Sequence, residues 1–345
     1  MRKLATFLRT HRAALVLLAG ELAALALFYL LRGSQAVMDR WLDTVSMPVK
    51  WAVSAVVDPL PFSACEAGAT ALIVLFLVLL GRAVWQAAHK RFAPLGAWVL
   101  HFAATALGLY VLVCALWGTQ YYGTGFAQKA GMTAGPVSTK DLADVTMYFG
   151  MKVNELAQQV PRDENGVFAV EDRTILQSAA PIYDGLTEEY PFLQSPTRTP
   201  KPAFYSKLMS AAGFTGYLCP VVGESTLNVD CPTMFLPVTV AHELAHQRGV
   251  AAEQEANYVG IRAATTCDDV IYQYPAGCSA TCTCPMPGTA PTRRQRPTIF
   301  GCCAGRPAPT LPPTMPTGPA GKARSKKPAK RCTPPFWKIT GKIWA

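Results

Sequence analysis

The segment LPVTVAHELAHQRG, residues 236–249, decides the fold that we expect for this chain. Pro237 suits the first turn of a helix, where its missing N–H has no cost. His242 and His246 are four residues apart, so they lie on one face of that helix, a single turn from each other. Two neutral imidazoles at this spacing can bind one tetrahedral zinc ion. The segment therefore predicts a helix that carries two zinc ligands.

Glu243 follows the first histidine of this motif and would face the open side of the metal. There it could take a proton from the attacking water and pass it to a leaving amine. The other histidines, His11, His89 and His101, lie in the apolar N-terminal part, so the rest of the chain has its only two imidazoles in this motif. The alternative is an amphipathic helix whose histidines are merely solvated or hydrogen-bonded.

A zinc site with an open position needs a third protein ligand. Residues 251–258 predict the start of another helix, and both Glu253 and Glu255 lie in its first turn, where the helix dipole also favours acids. The HExxH motif followed by Glu-x-x-Ala-Asn resembles the gluzincin metallopeptidases. That resemblance implies Glu253 as the third ligand, with Glu255 as the alternative, and Asn257 as a residue that steadies a ligand by a hydrogen bond. The link between the motif and Glu253 is shorter than in most gluzincins.

The N-terminal third predicts a membrane domain, residues 1–122. Half of the chain is apolar, only 16% is charged, and the runs 13–31, 67–85 and 97–118 are each long enough to cross a hydrocarbon core as a helix. Cations precede the first run and separate the second from the third, which places those segments in the cytoplasm and the chain after residue 118 outside. These cations are Arg2, Lys3, Arg9, Arg12, Arg82, Lys90 and Arg91. A cleaved signal peptide is the alternative for the first run.

The net charge of +10 does not indicate a nucleic-acid partner. The chain has no acid after Asp269, and 12 of its 32 Lys and Arg residues follow that position. The preceding part has 20 basic and 22 acidic residues, so it offers no basic face for DNA or RNA. The expected partners are a lipid bilayer and a peptide or protein substrate.

Residues 123–274 predict a single extracytoplasmic domain of α+β, zincin-like architecture. Apolar spacing indicates a helix over 141–159, capped by Ser138, and a second helix within 170–186. Residues 216–229 predict a hairpin or an edge strand. Cys219 and Cys231 flank that segment, so a disulfide between them is one alternative. Tyr217 and Tyr258 are candidates for stabilising an oxyanion.

The chain as a whole resembles the DUF3810 family of bacterial membrane proteins, from the first span to about residue 274. The resemblance rests on LWGTQYY at 116–122, KP at 201–202, SKLMS at 206–210, Gly216-Tyr217, Gly223-Glu224, Asn228, the motif at 242–249 and residues 253–257. It implies a zinc metalloprotease in which residues 216–230 supply the strand beside the cleft. Tyr217, Glu224 and Asn228 would then contact substrate at that edge, although a role in holding the turn is equally open for the last two.

Residues 275–345 predict a disordered tail. They contain 14 of the 28 prolines and no acid. We expect this tail to be a frameshifted reading of the gene, because back-translation of residues 277–285 in another frame gives an apolar run. The expected function is that of a membrane-anchored zinc endopeptidase in the cell membrane. The alternative is a non-catalytic binding or sensor module whose zinc site is structural or vestigial.

Overall fold

The computed structural model describes residues 2–133 and 135–283, which are mostly helical. The helices are α1 Arg2–Thr10, α2 Arg12–Leu31, α3 Gln35–Trp41, α4 Met47–Val57, α5 Ala64–Ala88, α6 Ala93–Leu116, α7 Phe126–Lys129, α8 Thr139–Leu156, α9 Asp172–Gln177, α10 Asp184–Glu189, α11 Ser206–Ala212, α12 Leu236–Gln247, α13 Glu253–Thr266 and α14 Val270–Thr283. The strands are β1 Lys201–Pro202, β2 Gly216–Leu218 and β3 Ser225–Leu227.

Three of these helices, α2, α5 and α6, are long and apolar enough to cross a membrane. They confirm the three predicted spans, with ends that differ from the predicted ones by up to four residues. Helix α6 packs against both of the others. Many of their large apolar side chains are exposed, for example Leu30 at 80% and Leu77 at 61%. A surface of this kind is stable against lipid and not against water, so the chain is a membrane protein.

The segment between the first two spans is helical. It consists of α3, a π-helical turn at Leu42–Ser46, and α4. The Trp41 indole donates to the Ala115 carbonyl at 2.9 Å, and the Ser46 hydroxyl donates to the same carbonyl at 2.5 Å. These bonds hold the segment against the end of α6, so it forms a platform between the membrane helices and the rest of the chain.

Helix α12 lies at the centre of the C-terminal domain. Its residues Val240, Ala241, Leu244 and Ala245 are fully buried, as expected for a helix that is covered on most sides. Helix α13 packs along it and α14 packs on both α13 and α8. The hydroxyl of Tyr183 donates to the Ala241 carbonyl at 2.7 Å and fixes the middle of α12 from the opposite side.

A small sheet covers another side of α12. Its order is β1-β3-β2, with β1 parallel and β2 antiparallel to β3. The predicted hairpin at 216–229 is therefore present, and β2 is an edge strand of this sheet. Gly223 in the turn has φ +71°, and a Cβ there would lie 3.1 Å from the Lys50 carbonyl oxygen on α4. The hairpin thus rests directly on the helical platform.

Two of the predicted helices are also present in the C-terminal domain. The helix expected over 141–159 is α8, and the Ser138 hydroxyl accepts a hydrogen bond from the Asp141 N–H at 3.1 Å as the predicted cap. The region 170–186 contains α9, a 3₁₀ turn at Ala180–Tyr183, and the start of α10. The segment 170–186, which the sequence predicts to contain one helix, thus contains α9 and the start of α10.

The domain continues beyond the boundary that the sequence indicated. We ended the domain at Tyr274 because of the prolines that follow, but α14 runs to Thr283 with Pro275 inside it. Ala276 and Cys278 are 0% and 1% exposed and belong to the core. Residues 275–283 are therefore helical and not disordered, and residues 284–345 lie outside the described residues. The frameshift hypothesis rests on residues 277–285, most of which belong to α14, and it stays a prediction.

Candidate metal centre

Helix α12 places the two histidines of the motif side by side. The imidazoles of His242 and His246 have centroids 4.6 Å apart and stand at 89° to each other. Each side chain is nearly buried, with exposed fractions of 12% and 6%. The rings of His242 and His246 thus lie next to each other, as their spacing of one helical turn predicts.

Glu253 completes the group. The chain leaves α12 through Gly249, whose φ of +87° is the left-handed conformation that favours glycine at a helix end. It then reverses, and Glu253 is the first residue of α13. Its carboxylate oxygens lie 3.2 Å from Nε2 of His242 and 3.7 Å from Nε2 of His246. One donor atom from each of these three residues falls within 4.8 Å of the others.

The remaining nitrogen of each ring has its own partner. Nδ1 of His242 donates to Oδ1 of Asn257 at 3.0 Å, and Nδ1 of His246 donates to the Val250 carbonyl at 2.6 Å. These bonds occupy Nδ1 of each ring, so Nε2 is the nitrogen that faces Glu253 and could bind a cation once it is deprotonated. Asn257 therefore lies where the resemblance to gluzincins implies.

The charge states of His246 and Glu253 suit a bound cation, whereas the pKa shift of His242 runs the other way. Burial lowers the pKa of His246 to about 4, so this imidazole is neutral at physiological pH. Burial also lowers the pKa of His242, but the hydrogen bond to Glu253 and nearby carboxylates outweigh it and the net direction is upward. Burial acts to raise the pKa of Glu253, and the two imidazoles reverse this to a net decrease. A carboxylate thus faces two imidazole nitrogens.

Glu243 lies beside this group and is not part of it. The residue is 4% exposed, and its Oε2 atom has no hydrogen-bond partner among the described residues. Burial raises its pKa to about 7, which suits a group that must both accept and release a proton near neutral pH. A Cβ on Gly216 of β2 would lie 3.1 Å from Oε1 of Glu243. Only glycine leaves the carboxylate this close to the edge strand.

The alternative ligand Glu255 has a different role. Its two carboxylate oxygens accept from the N–H groups of Phe126 and Ala127, at 2.9 and 3.0 Å. It thereby caps α7, the short helix that follows the membrane domain. Both glutamates occupy the first turn of α13, but only Glu253 points at the histidines.

The residues that we expected at a substrate edge hold the hairpin in place. Glu224 is 2% exposed and accepts from the Ser63 hydroxyl at 2.7 Å and the Ala64 N–H at 3.2 Å, at the start of α5. The amide of Asn228 donates to the Phe214 carbonyl at 2.9 Å. The contacts of Glu224 and Asn228 thus agree with the alternative that these residues stabilise the turn.

Neither of the two tyrosines proposed for the oxyanion lies at the histidines. The Tyr217 hydroxyl lies near Thr226 and Ser63, on the side of the sheet that faces α5. Tyr258 is 45% exposed and packs its ring near Phe126, at 5.9 Å. The position of Tyr217 follows from strand alternation, because its neighbour Gly216 faces Glu243.

The cysteines pair differently from the alternative in the sequence analysis. The Cys219 thiol lies near the thiol of Cys65 at the start of α5, which lowers the pKa of Cys219, and both residues are free cysteines. The Cys231 sulfur donates to the Asn228 carbonyl at 3.1 Å. No bond therefore joins Cys219 to Cys231 in this structure.

Sequence reasoning missed two aromatic residues at the histidines. Trp117, at the end of α6, stands edge-on to His246 with centroids 5.3 Å apart. Burial raises the pKa of Tyr121, and the charge of Glu253 adds to that increase, so this side chain also lies close to the cluster. The LWGTQYY segment was the available signal, because it continues four residues beyond the predicted span. The membrane domain thus contributes one wall of the site.

These features define a class: a membrane protein with three spanning helices and a His–His–Glu cluster beside a buried, unpaired glutamate. The chain belongs to the family described as "Protein of unknown function (DUF3810)", whose model matches residues 46–285. This match confirms the family resemblance. It begins at Ser46, after the first span and α3, and it extends beyond residue 274 to include α14. No curated protein and no solved structure matches the chain.

Proposed function

We propose that this protein is a membrane-anchored zinc metallopeptidase that cleaves peptide bonds at the outer face of the cytoplasmic membrane. One observation supports this most strongly: one donor atom from each of two imidazoles and one carboxylate converge within 4.8 Å. Three such ligands leave the fourth position of a tetrahedral zinc ion open, as catalysis requires and a closed structural site does not.

The surrounding groups fit zinc as well. Nδ1 of each ring is held by Asn257 or by the Val250 carbonyl, so neither histidine needs to reorient to bind. The carboxylate oxygen of Glu243 without a partner is a buried polar atom that needs a donor. A water molecule between the cluster and this oxygen would supply that donor.

The bound zinc ion would polarise the scissile carbonyl and lower the pKa of the attacking water. Glu243 would take the proton of that water and deliver it to the nitrogen of the leaving amine, which its pKa of about 7 allows in both directions. Strand β2, at the edge of the sheet, offers its backbone to an extended peptide. Gly216 lets the carboxylate of Glu243 reach the line of that peptide.

The position of the site relative to the membrane supports an outward-facing location. The cations before α2 and between α5 and α6 favour the cytoplasm for those segments. No further spanning helix follows α6 among the described residues, so the metal centre would lie on the side of the membrane where α6 ends. The metal centre would then lie just outside the bilayer, against Trp117 at the end of α6.

The experiment that tests this proposal uses the full-length protein in detergent, with Glu243→Gln as the variant and the exposed Glu164→Gln as its matched control. Metal content is measured by mass spectrometry, and cleavage is measured on a mixed peptide library. We expect zinc in all three proteins and hydrolysis in the wild type and the control. Glu243→Gln should lose about 10²- to 10⁴-fold in rate, the usual contribution of a general base.

Two results would contradict the proposal. A Glu243→Gln protein that cleaves peptides at the wild-type rate would rule out the role of this carboxylate. A wild-type protein that binds zinc and cleaves nothing in the library would favour the alternative, a non-catalytic module with a structural zinc site.

A further inference from the structure

Helix α11 exposes apolar side chains where a surface helix in water would be polar. Leu208 is 66% exposed and Tyr205, three residues before it on the same face, is 45% exposed. Phe204, in the turn that enters the helix, is 65% exposed. Ser206 and Met209 are buried against the domain instead. We call Phe204, Tyr205 and Leu208 the exposed face of α11.

This exposed face adjoins the N-terminal end of the spanning helix α5. The hydroxyls of Tyr205 and Thr70 are hydrogen-bonded at 2.7 Å. The Glu66 carboxylate accepts from the Phe204 N–H at 2.6 Å, and the rings of Phe204 and Phe62 have centroids 6.0 Å apart. Three separate contacts thus fix the start of α11 beside the first two turns of α5.

Thr70 lies on a stripe of α5 that faces lipid. Ile73, Val74 and Leu77 follow it by three, four and seven residues, which is the spacing of one helical face. Each of these three apolar side chains is more than half exposed. Such a stripe on a spanning helix is stable against acyl chains and not against water. Tyr205 therefore touches α5 on the side of the lipid.

The depth of this contact follows from the length of α5. The helix has 25 residues and measures about 37 Å, whereas the hydrocarbon core is about 30 Å thick. If α5 crosses the whole core, at most about 7 Å of it can extend beyond the core at the N-terminal end. Thr70 is six residues after Ala64, or about 9 Å along the helix. The contact with Tyr205 therefore lies at the boundary of the hydrocarbon or inside it.

We propose that the exposed face of α11 is a lipid-binding surface, which inserts into the boundary between the headgroups and the acyl chains of the bilayer. Phe204 and Leu208 contact acyl chains, and Tyr205 lies at the interface, where aromatic rings with one polar atom are favoured. Lys207 is exposed beside Leu208 and extends its ammonium group to lipid phosphates. The occupant is lipid and not a protein partner, because the face continues the lipid-facing stripe of α5.

This surface connects the bilayer to the metal-site domain. The Asn228 amide donates to the Ser210 hydroxyl at 3.0 Å and to the Phe214 carbonyl at 2.9 Å, so α11 is tied to the hairpin. Strand β2 begins four residues after α11 ends, and its Gly216 faces Glu243. Lipid binding by α11 therefore holds the edge strand close to the bilayer surface. The proposal does not depend on peptidase activity, because none of the lipid-binding residues is a candidate metal ligand.

The test measures the depth of spin labels in the full-length protein, reconstituted in nanodiscs of phosphatidylcholine and phosphatidylglycerol. A cysteine-depleted protein carries one nitroxide, at Leu208→Cys, at Leu77→Cys as the lipid reference, or at Glu164→Cys as the water reference. All three positions are exposed, so the label does not disturb the packing. Electron paramagnetic resonance then compares collisions with oxygen, which concentrates in lipid, and with a polar nickel chelate, which stays in water.

We expect the ratio of oxygen to nickel collisions at Leu208→Cys to approach that at Leu77→Cys. It should exceed the ratio at Glu164→Cys at least about threefold, because only the apolar reagent partitions into hydrocarbon. A ratio equal to that at Glu164→Cys would overturn the proposal. Low collision rates with both reagents would also overturn it, because they would indicate that a protein covers the face.

A second measurement keeps the native cysteines and guards against a cysteine-depleted protein that fails to fold. Photoreactive p-benzoylphenylalanine replaces Phe204, or Glu164 as the control, in the full-length protein in the same nanodiscs. Illumination should give lipid adducts, detected by mass spectrometry, at the first position and not at the second. Adducts to protein alone at position 204, or equal lipid adducts at both positions, would contradict the lipid-binding surface.

Discussion

Gly260→Ala is the substitution that tests most sharply how α13 places Glu253. Gly260 lies where α13 crosses α12, and a Cβ there would lie 2.9 Å from the His242 backbone nitrogen and 3.0 Å from its Cα. Ordinary van der Waals contacts begin near 3.4 Å. Because the contacted atoms belong to the backbone of a buried helix, no side chain can turn aside. Helix α13 must therefore move away from α12 by roughly half an ångström.

Two effects of this substitution oppose each other. Overpacking of a close contact costs about 1–3 kcal/mol. Replacing glycine by alanine inside a helix raises the free energy of unfolding by about 1 kcal/mol, because alanine has the higher helix propensity. We therefore expect a net loss of about 1–2 kcal/mol in the free energy of unfolding. Glu253 is two turns before Gly260 on the same helix, and a metal site tolerates only about 0.5 Å of displacement, so zinc affinity should fall at least tenfold.

The assay compares urea unfolding and zinc affinity, the latter by competition with a chelator, in the full-length protein. Gly150→Ala is the matched control, since Gly150 lies in α8 with nothing within 4 Å of a new Cβ. That change should stabilise the protein by about 0.5–1 kcal/mol and leave zinc affinity unaltered. If Gly260→Ala proved as stable as Gly150→Ala and bound zinc as tightly as the wild type, the described packing of α13 on α12 would be refuted.

Four further predictions follow from the site and its surroundings. Asn257→Ala should lower zinc affinity about 10- to 100-fold in chelator competition, because the ring of the first histidine loses its orienting partner. Glu255→Ala should leave zinc content unchanged and reduce the free energy of unfolding by about 1–2 kcal/mol, because α7 loses its cap; loss of zinc would instead make this residue a ligand. Burial lowers the pKa of Lys50 from 10.5 to about 7, so the folded state loses this proton at a lower pH than the unfolded state does. The unfolding free energy of the wild type should therefore rise relative to that of Lys50→Met as the pH increases from 7 to 10.5, by at most about 1.4 kcal/mol per pH unit; equal pH profiles would contradict the burial of a charged amine. In spheroplasts with a cysteine-depleted protein, an impermeant maleimide should label Glu164→Cys at once and Arg91→Cys only after permeabilisation, and the reverse order would contradict the proposed orientation.

The sequence predicted those parts of the structure that depend on local periodicity. The three spans follow from uninterrupted apolar runs, and α12 with its paired histidines follows from one motif. The cap at Ser138 and the hairpin at 216–229 were also visible, because each depends on neighbours within about ten residues. In these cases, the information is contained in the segment itself.

The parts that were missed depend on contacts between distant segments. Glu255 and Glu253 have the same local signature, and only the packing of α7 against α13 separates their roles. Pro275 suggested the end of the domain, but burial of α14 against α8 outweighs the local cost of a proline in a helix. The burial of Lys50 could not be predicted for the same reason, since nothing in its own segment indicates that the hairpin turn covers it.

X-ray absorption spectroscopy of the zinc-loaded full-length protein is the most direct test of the central claim, that His242, His246 and Glu253 hold a metal ion. We predict one zinc ion per chain, with two imidazole nitrogens at about 2.0–2.1 Å and carboxylate or water oxygens at about 2.0–2.2 Å. The signal should vanish in His246→Ala. A zinc ion with sulfur ligands at about 2.3 Å, supplied by some of the 11 cysteines, would contradict the account, as would a folded protein that binds no zinc.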